Sequence, residues 1–399
     1  MANRKNVLLI SSFWTGVKPF FLEGKEDFKG MPAFTNTFFL LLEEKKVEEI
    51  YIIFFGKRID TKYKVPKKYE KKLKVYGYSY ERSLFALFPM LFLCLKSISI
   101  ILAKKIKIIY AHGPVSGLAG MVSKITGVPN VRRIYGTFLA RELKLNKLKI
   151  FLRHPLEYLS FALPAKAVVI TNDGTKGNMV FAKIGHKKTP LHFLLNGINK
   201  DLGPLMSISN VTKNYKINFT PEICYIARID KWKRQHLLID ILAEAKSNGN
   251  IYYAIIAGPV INEDYYNFLK NKISENNLTE SVVLIPGLTR QESLSIIKNS
   301  KLSVSFYDYS NLGNVFLESL SLGTPMFTEN IENSLELINE EVYINVNPLD
   351  KKTSSNTLYE MMNNAGVIEK KSNLSLKYAD ECLMTWGQRA KIELDLLEL

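Results

Sequence analysis

The chain has 399 residues, of which 47% are hydrophobic and 23% are charged. This length predicts two domains of ordinary size, and this apolar content excludes a wholly disordered chain. The cysteines Cys94, Cys224 and Cys382 lie far apart in sequence, which excludes a local metal or redox motif and fits a reducing compartment.

The net charge of +16 is unevenly distributed. Residues 1–200 hold 35 Lys and Arg against 13 Asp and Glu, a net charge of +22, whereas residues 201–399 hold 19 against 25, a net charge of −6. This asymmetry favours an anionic partner for the first half, such as a membrane surface, a nucleic acid or an acidic substrate. Solvated lysines without any partner are the alternative.

The N-terminus leads directly into the apolar run 7–10, which is too short for a signal peptide and is typical of a strand. Short β-rich runs then alternate with longer helical ones, and this alternation predicts parallel strands joined by crossover helices. The strands predicted in the first half are Val7–Ser11, Ile50–Phe55, Lys107–Tyr110, Val131–Ile134 and Ala167–Thr171.

Two further segments of the first half are rich in apolar residues. Ser83–Ala103 is interrupted by Lys96 and by serines, so a buried helix is favoured over a membrane-spanning one. Arg141–Arg153 mixes basic with bulky apolar residues, and Leu148 and Leu152 would share a helical face with Leu145. This segment predicts an amphipathic helix that packs on its domain, lies at a lipid headgroup surface, or does both.

The segment Asn196–Glu222 is rich in Asn, Lys, Gly and Pro, which predicts a connection between domains. The alternation of strands and helices restarts after it. The elements predicted there are the helix Arg234–Ser247 and the strands Ile223–Ala227, Ile251–Ala257, Val282–Ile285 and Leu302–Phe306. Two successive α/β domains predict a cleft at the carboxyl ends of their strands, where such folds bind ligands.

The turn after the strand Ile223–Ala227 carries two cations, Arg228 and Lys233. An Arg and a Lys five residues apart on such a turn can converge on a diphosphate, because Arg bonds two oxygens and Lys adds a point charge. A solvated turn is the alternative.

The segment Tyr309–Leu320 follows the strand Leu302–Phe306, opens a helix and contains Gly313. A glycine there permits close backbone approach, and the N–H groups of a first helical turn attract anions. Glu318 lies one turn into this helix, where its carboxylate could accept hydrogen bonds from ribose hydroxyls; a surface acid is the alternative.

Together these segments resemble glycosyltransferase family 4, the retaining group 1-type glycosyltransferases of GT-B fold. The resemblance is strongest over Ile223–Thr328, where the family shows an Arg-x4-Lys turn, a Gly-Pro pair, a strand ending in Gly, and a Glu-x7-Glu segment. The corresponding residues here are Arg228 with Lys233, Gly258-Pro259, Gly287, and Ser310 through Glu318. Asn196-Gly197, His112, and Trp386 with Arg389 are weaker matches.

The resemblance implies an α/β fold of two Rossmann-like, doubly wound parallel-sheet domains that face a central cleft. Residues 1–198 would bind the acceptor, residues 199–375 would bind the nucleotide sugar, and residues 376–399 would form a helix that packs back on the first domain.

The resemblance also implies an activity. A hexose or N-acetylhexosamine would pass, with retention of configuration, from a nucleotide sugar to a lipid-linked or polysaccharide acceptor of cell-surface glycan biosynthesis, such as capsule or lipopolysaccharide. A UDP-sugar is the first expectation for the donor and GDP-mannose the second. No cofactor, metal or nucleic acid is expected, and the enzyme would be cytoplasmic and peripheral at the inner face of the cell membrane, held there by its basic first domain.

The resemblance assigns residues to two roles. The catalytic group comprises Arg228, Lys233 and Glu318. The donor-binding group comprises Ser310, Asn311, Leu312, Gly313, Asn314, Val315, Gly287, Leu288, Gly30, Asn196 and His112.

The chain departs from the family pattern at three places, one of which is the Gly-rich first loop, unusually long and spread over Gly16, Gly24 and Gly30. Ser310 replaces the first Glu of Glu-x7-Glu, and Tyr135 stands where the family often has His. Three alternatives therefore stay open: a non-catalytic or divergent sugar-nucleotide-binding protein, a GT-B sugar-nucleotide epimerase, and an inverting transferase.

Overall fold

The computed structural model describes residues 4–28, 30–56, 62–79, 87–331 and 334–399. The chain forms two compact units. The first unit comprises Met1–Gly197 together with Trp386–Leu399, and the second comprises Ile198–Thr385.

A seven-stranded parallel sheet forms the centre of the first unit, in the order β3-β2-β1-β4-β5-β6-β7. Its strands are β1 (Lys5–Ser12), β2 (Val47–Gly56), β3 (Leu73–Ser79), β4 (Ile106–His112), β5 (Asn130–Ile134), β6 (Ala167–Thr171) and β7 (Leu191–Leu194). The strand order reverses at the β1–β4 pair, as in doubly wound folds. The central strands are buried along most of their length because a parallel sheet is covered on both faces.

Helices cover both faces of this sheet. They are α1 (Lys18–Leu22), α2 (Pro32–Glu43), α3 (Leu87–Lys104), α4 (Ser116–Thr126), α5 (Lys147–Arg153), α6 (Pro155–Ala162), α7 (Gly177–Ile184) and α15 (Trp386–Leu396). Successive residues of β1 alternate between the faces: Val7 and Leu9 pack in one apolar cluster with Phe38 of α2, whereas Leu8 packs in another with Leu118 of α4.

The last residues of the chain complete the first unit. Leu397 and Leu399 are buried in the same apolar cluster as Phe38. The expected closing segment, residues 376–399, is therefore divided at Trp386. Residues 376–382 end the helix α14 (Ala365–Cys382), which packs against the helix Asn314–Ser321 in the second unit. Only residues 386–399 join the first unit.

A six-stranded parallel sheet forms the centre of the second unit, in the order β10-β9-β8-β11-β12-β13. Its strands are β8 (Ile223–Ile226), β9 (Ala254–Ala257), β10 (Val282–Ile285), β11 (Leu302–Ser305), β12 (Met326–Thr328) and β13 (Tyr343–Asn345). Its helices are α8 (Ile208–Asn214), α9 (Gln235–Ser247), α10 (Glu263–Glu275), α11 (Arg290–Asn299), α12 (Asn314–Ser321), α13 (Lys351–Met362) and α14. Two apolar clusters lie on its opposite faces, as in the first unit.

Most sequence-predicted elements are present, with differences at segments whose packing is not visible in a local pattern. The strands β3, β7 and β13 were not expected, and β9 begins at Ala254 rather than at Ile251. The expected connection Asn196–Glu222 is mostly part of the second unit, because Val211 of α8 is buried in that unit's core.

The structure places parts of the two apolar segments of the first half, Ser83–Ala103 and Arg141–Arg153, in helices. In Ser83–Ala103, residues 83–86 lie outside the described residues, and the remainder belongs to α3, which buries Leu93 but exposes Leu95. Within Arg141–Arg153 only α5 is an α-helix, and Leu145 lies before it, half-buried. Among the described residues, no helix combines the length and apolar character needed to cross a membrane.

Candidate functional site

The strand order of the second unit reverses between β8 and β11. The loops that follow two such neighbouring strands leave toward opposite faces of the sheet, and ligands of doubly wound folds bind in the resulting crevice. A hydrogen bond joins these two loops: the Asp308 N–H donates to the Trp232 carbonyl at 3.0 Å. The segments that carry Arg228 with Lys233 and the start of α12 therefore begin side by side.

Lys233 lies against two aromatic rings of these loops. Its Nζ is 3.7 Å from the centroid of the Trp232 ring and 3.3 Å from that of the Tyr307 ring. The guanidinium carbon of Arg228 is 5.5 Å from the Trp232 centroid. Both predicted diphosphate ligands thus contact one indole, whose negative face stabilises a cation. Lys233 is buried whereas Arg228 is exposed.

A close backbone approach holds the turn that carries Arg228. Gly258, at φ 155°, lies so near that an added Cβ would be 2.0 Å from the Ala227 carbonyl oxygen. Only glycine fits that position. The Gln235 side chain also donates to the Arg228 carbonyl at 2.8 Å. The Gly-Pro pair therefore has a structural role, in shaping the turn.

The turn before α12 contains several of the predicted donor-binding residues, and some of their side chains stabilise the turn itself. The Asn311 amide is buried and donates to Thr328 Oγ1 at 2.7 Å and to the Glu329 carbonyl at 2.9 Å. The Leu312 side chain is also buried. These two side chains therefore stabilise the turn, and Leu312 offers a ligand only its backbone. Ser310 has a φ of 58°, in the left-handed region.

Gly313 is the N-cap residue of α12, and an added Cβ would meet no atom within 4 Å. The N–H groups of the next residues, Asn314 and Val315, belong to the first helical turn, which offers donors to an anion. The side chain of Val315 is partly buried against the core. This turn therefore provides space and backbone donors.

Glu318 lies one turn into α12 and forms an ion pair with Arg290, whose Nη2 is 2.8 Å from Glu318 Oε1. Burial raises the pKa of Glu318, and the charge and hydrogen bond of Arg290 oppose that increase. Glu318 is therefore a buried acid with a specific partner rather than a surface acid of the helix.

Gly287 and Leu288 precede α11. Gly287 has a φ of 144°, and an added Cβ there would meet open space. Its carbonyl accepts a hydrogen bond from the Tyr215 hydroxyl at 3.4 Å. Leu288 packs partly against the core, and Thr289 caps α11 in a capping box with Glu292. This loop is thus held in place while its backbone remains accessible at Gly287.

His112 ends β4 at the position where the strand order of the first unit reverses. The ring is buried, its Nδ1 is hydrogen-bonded to the Tyr135 hydroxyl, and its centroid is 4.2 Å from that of Tyr110. Burial, together with the charge of Arg133, lowers the pKa of His112 well below its ordinary value, so the ring is neutral at pH 7.

Two other predicted ligands also belong to the first unit. Gly30 lies just before α2 and has a φ of 72°, and an added Cβ there would meet open space. Asn196 lies shortly after β7, beside Gly197, where an added Cβ would be 2.7 Å from the Trp386 Cα. The Asn-Gly pair therefore admits the close approach of α15.

Sequence reasoning missed the partners of the predicted residues. Trp232 is adjacent to Lys233 in sequence and could have been noticed, whereas Tyr307 and Arg290 are separated from their partners by 74 and 28 positions. In the part of the chain that the structure describes, His, Cys, Asp and Glu side chains form no cluster of three that could hold a metal ion.

The fold is shared with solved glycosyltransferases of GT-B type. The complex of HepE from Anabaena with UDP and glucose has a TM-score of 0.70 at 16% identity, covering 99% of this chain and 100% of that chain. Sucrose-phosphate synthase from Thermosynechococcus elongatus has a TM-score of 0.67 at 15% identity, with coverages of 99% and 98%. A glycosyltransferase from Rickettsia africae has a TM-score of 0.67 at 13% identity, with coverages of 99% and 98%. The chain is thus an α/β protein of the GT-B class.

A family model narrows this class. The model described as glycosyl transferases group 1 matches residues 210–378, which include the Arg228–Lys233 turn and Glu318. Residues 210–378 are thus similar to the group 1 glycosyltransferases, and the chain is a glycosyltransferase. No curated protein matches it by sequence.

Proposed function

We propose that the chain transfers a hexose or an N-acetylhexosamine from a nucleotide sugar to a lipid-linked or polysaccharide acceptor, with retention of configuration. The observation that carries the proposal is a pair of cations on one indole: Arg228 and Lys233 both contact Trp232. The turn that carries them is joined to the loop after β11 at the switch point of the sheet. Such a cationic pair beside the start of a helix suits a diphosphate.

The proposed donor binds in the second unit. Arg228, Lys233 and the first-turn amides of α12 hold the diphosphate, Glu318 accepts from the ribose, and the backbone at Gly287 faces the base. The similarity to HepE, which was solved with UDP-glucose, favours a UDP-sugar, with GDP-mannose as the second candidate. Thermal-shift measurements with UDP and GDP compare the two, because a ligand that binds only the folded state raises its melting temperature.

In the proposed reaction, the bond between the anomeric carbon and the diphosphate oxygen breaks, and negative charge accumulates on the departing diphosphate. Cations placed before the reaction stabilise this transition state more than the ground state. The departing phosphate accepts the proton of the attacking acceptor hydroxyl. The oxygen of that hydroxyl bonds to the anomeric carbon on the face that the diphosphate leaves. No dedicated protein base is needed in this scheme.

The double variant Arg228→Ala/Lys233→Ala tests the assignment. We expect sugar transfer to fall by about 100-fold or more, since one such electrostatic group contributes about 3 kcal/mol. Lys231→Ala is the matched control, because it removes an exposed cation from the same turn. Near-normal turnover in a folded double variant, or an equal loss in the control, would refute the role.

The proposed acceptor is presented at an anionic membrane. The first unit holds 36 Lys and Arg against 16 Asp and Glu, a net charge of +20. Two of its helices expose apolar side chains: Leu91, Leu95 and Leu102 on α3, and Leu148 and Leu152 on α5. Apolar side chains flanked by lysines suit the headgroup region of a bilayer.

Co-sedimentation with phosphatidylglycerol vesicles at low salt tests this partner. Lys147→Glu/Lys149→Glu on α5 should weaken binding about tenfold or more, given about 1 kcal/mol for each lysine near the surface. Lys370→Glu/Lys377→Glu makes the same change of charge on exposed positions of the second unit and should have little effect. If the wild-type protein does not co-sediment with these vesicles, the proposal of a membrane partner is wrong.

A second candidate function is binding of a sugar nucleotide without transfer. The observation that favours it is the turn before α12, where Ser310 replaces the family's Glu and the Asn311 amide is committed to Thr328 and Glu329. Release of nucleotide with formation of a glycosylated lipid-linked acceptor would exclude this candidate.

A further inference from the structure

Arg290 contacts the Glu318 carboxylate through one of its two oxygens, Oε1. Arg290 Nη2 lies 2.8 Å from Oε1, and the exposed fractions of the two side chains are 48% for Arg290 and 12% for Glu318. Arg290 is the first residue of α11 and directly follows the loop that contains Gly287 and Leu288. It therefore stands between the segment proposed to face the base and the acid proposed to bind the ribose.

We propose that Arg290 is a positioning residue for ribose recognition: it fixes the orientation of the Glu318 carboxylate through Oε1, so that Oε2 can accept hydrogen bonds from the ribose hydroxyls. This inference rests on the proposed function, because the ribose belongs to the proposed donor. A carboxylate that is already oriented loses less conformational freedom when the ligand binds.

The electrostatics around Glu318 support this assignment. Burial raises the pKa of Glu318, and Arg290 is the charged group that counteracts this effect. Glu292, the acid in the first turn of α11, instead accepts hydrogen bonds from Thr289 and Tyr215. Without Arg290, Glu318 would become protonated at a higher pH and would lose its charge-assisted acceptance of hydroxyl hydrogen bonds.

A direct contact between Arg290 and the diphosphate is the competing role, since the guanidinium is half-exposed. The two roles differ in the ligand part that they affect. Substitution of a residue that positions the ribose-binding acid should weaken the binding of uridine and of UDP alike. Substitution of a residue that contacts the diphosphate should weaken only the binding of UDP.

Isothermal titration calorimetry with UDP and with uridine, from pH 5 to pH 8, separates these roles. Arg290→Gln should weaken the binding of both ligands by the same factor, about tenfold, as expected for loss of a hydrogen bond to a charged group. Affinity should fall as the pH falls through the pKa of Glu318, and Arg290→Gln should move this fall to higher pH. Arg290→Lys, which keeps the charge, should move it less.

Two controls complete the experiment. Glu318→Gln should remove this pH dependence, and Arg290→Gln/Glu318→Gln should bind no more weakly than Glu318→Gln alone. Lys298→Gln removes a cation from the far end of the same helix α11 and should leave both affinities unchanged.

Two results would overturn the inference: Arg290→Gln weakening UDP but not uridine, or leaving both affinities and the pH profile unchanged. If the wild-type protein binds none of the four ligands UDP, uridine, GDP and guanosine, the proposed function is wrong as well. Binding by the wild type with no effect of Arg290→Gln would overturn the inference alone.

Discussion

Lys233 has little room to move, because its ammonium group lies on the faces of Trp232 and Tyr307 while its chain is buried. Arg228 contacts the same indole. Two neighbouring cations repel one another, and the indole ring that both contact offsets part of that repulsion before any anion arrives. The aromatic residues therefore prepare the cations for the proposed diphosphate rather than bind it themselves.

Replacement of Trp232 tests this view at the residue scale. Trp232→Leu should weaken UDP binding by about 2-fold to 30-fold, the range for a cation–π contact of about 0.5–2 kcal/mol. Trp232→Phe should retain much of the affinity because it keeps an aromatic face. Calorimetry measures both variants, and equal UDP affinity in the Leu and Phe variants contradicts a role through the cations.

At the scale of elements, the proposed donor site depends on how closely neighbouring loops approach. The turn after β8 and the turn after β9 touch at Gly258, and the isolated pairing of Ile229 with Val260 continues this contact. The loop after β11 is joined to the first of these turns through Asp308 and Trp232. Backbone contacts, rather than side chains alone, thus place the cations.

Gly258→Ala is the prediction at this scale. Its Cβ would overlap the Ala227 carbonyl, so we expect a loss of about 2–3 kcal/mol in the free energy of unfolding, together with weaker UDP binding. Gly249→Ala is the control, because Gly249 also has a positive φ, of 82°, but open space around it. That control should lose only about 1 kcal/mol. Chemical denaturation measures both, and equal losses would mean that the close approach has no energetic role.

At the scale of the whole molecule, the end of the chain stabilises the unit formed by its beginning. Glu393 of α15 is buried with Arg133 of β5 at 3.2 Å and Arg389 at 2.8 Å, and it accepts a hydrogen bond from Tyr110 of β4. One carboxylate therefore balances two buried guanidinium groups. A buried charge without a partner is strongly destabilising.

Glu393→Gln is the prediction at this scale. It leaves two buried cations unbalanced and should reduce the free energy of unfolding by about 3–5 kcal/mol. Glu398→Gln, in the same segment, removes an exposed carboxylate near Lys5 and Lys166, and solvent screens such a pair, so the free energy of unfolding should change little. Thermal and chemical unfolding measure the difference, and similar losses in both variants contradict the importance of the buried cluster.

The sequence by itself determined the α/β class, the restart of the strand–helix alternation and the positions of Arg228, Lys233 and Glu318, because these signals are local. Hydrophobic periodicity and residues that end strands or begin helices act over a few positions. The short strands β7 and β13 escaped this reasoning, since four or three residues give too weak a pattern.

Only the tertiary structure decided which residues act together. Tyr307 reaches Lys233, Arg290 reaches Glu318, and Glu393 reaches Arg133 across 260 positions of sequence. It also showed that the Asn311 side chain is hydrogen-bonded to Thr328 and to the Glu329 carbonyl. These pairings depend on the strand order and on close backbone contacts, which bring distant side chains together and are not encoded in any local spacing.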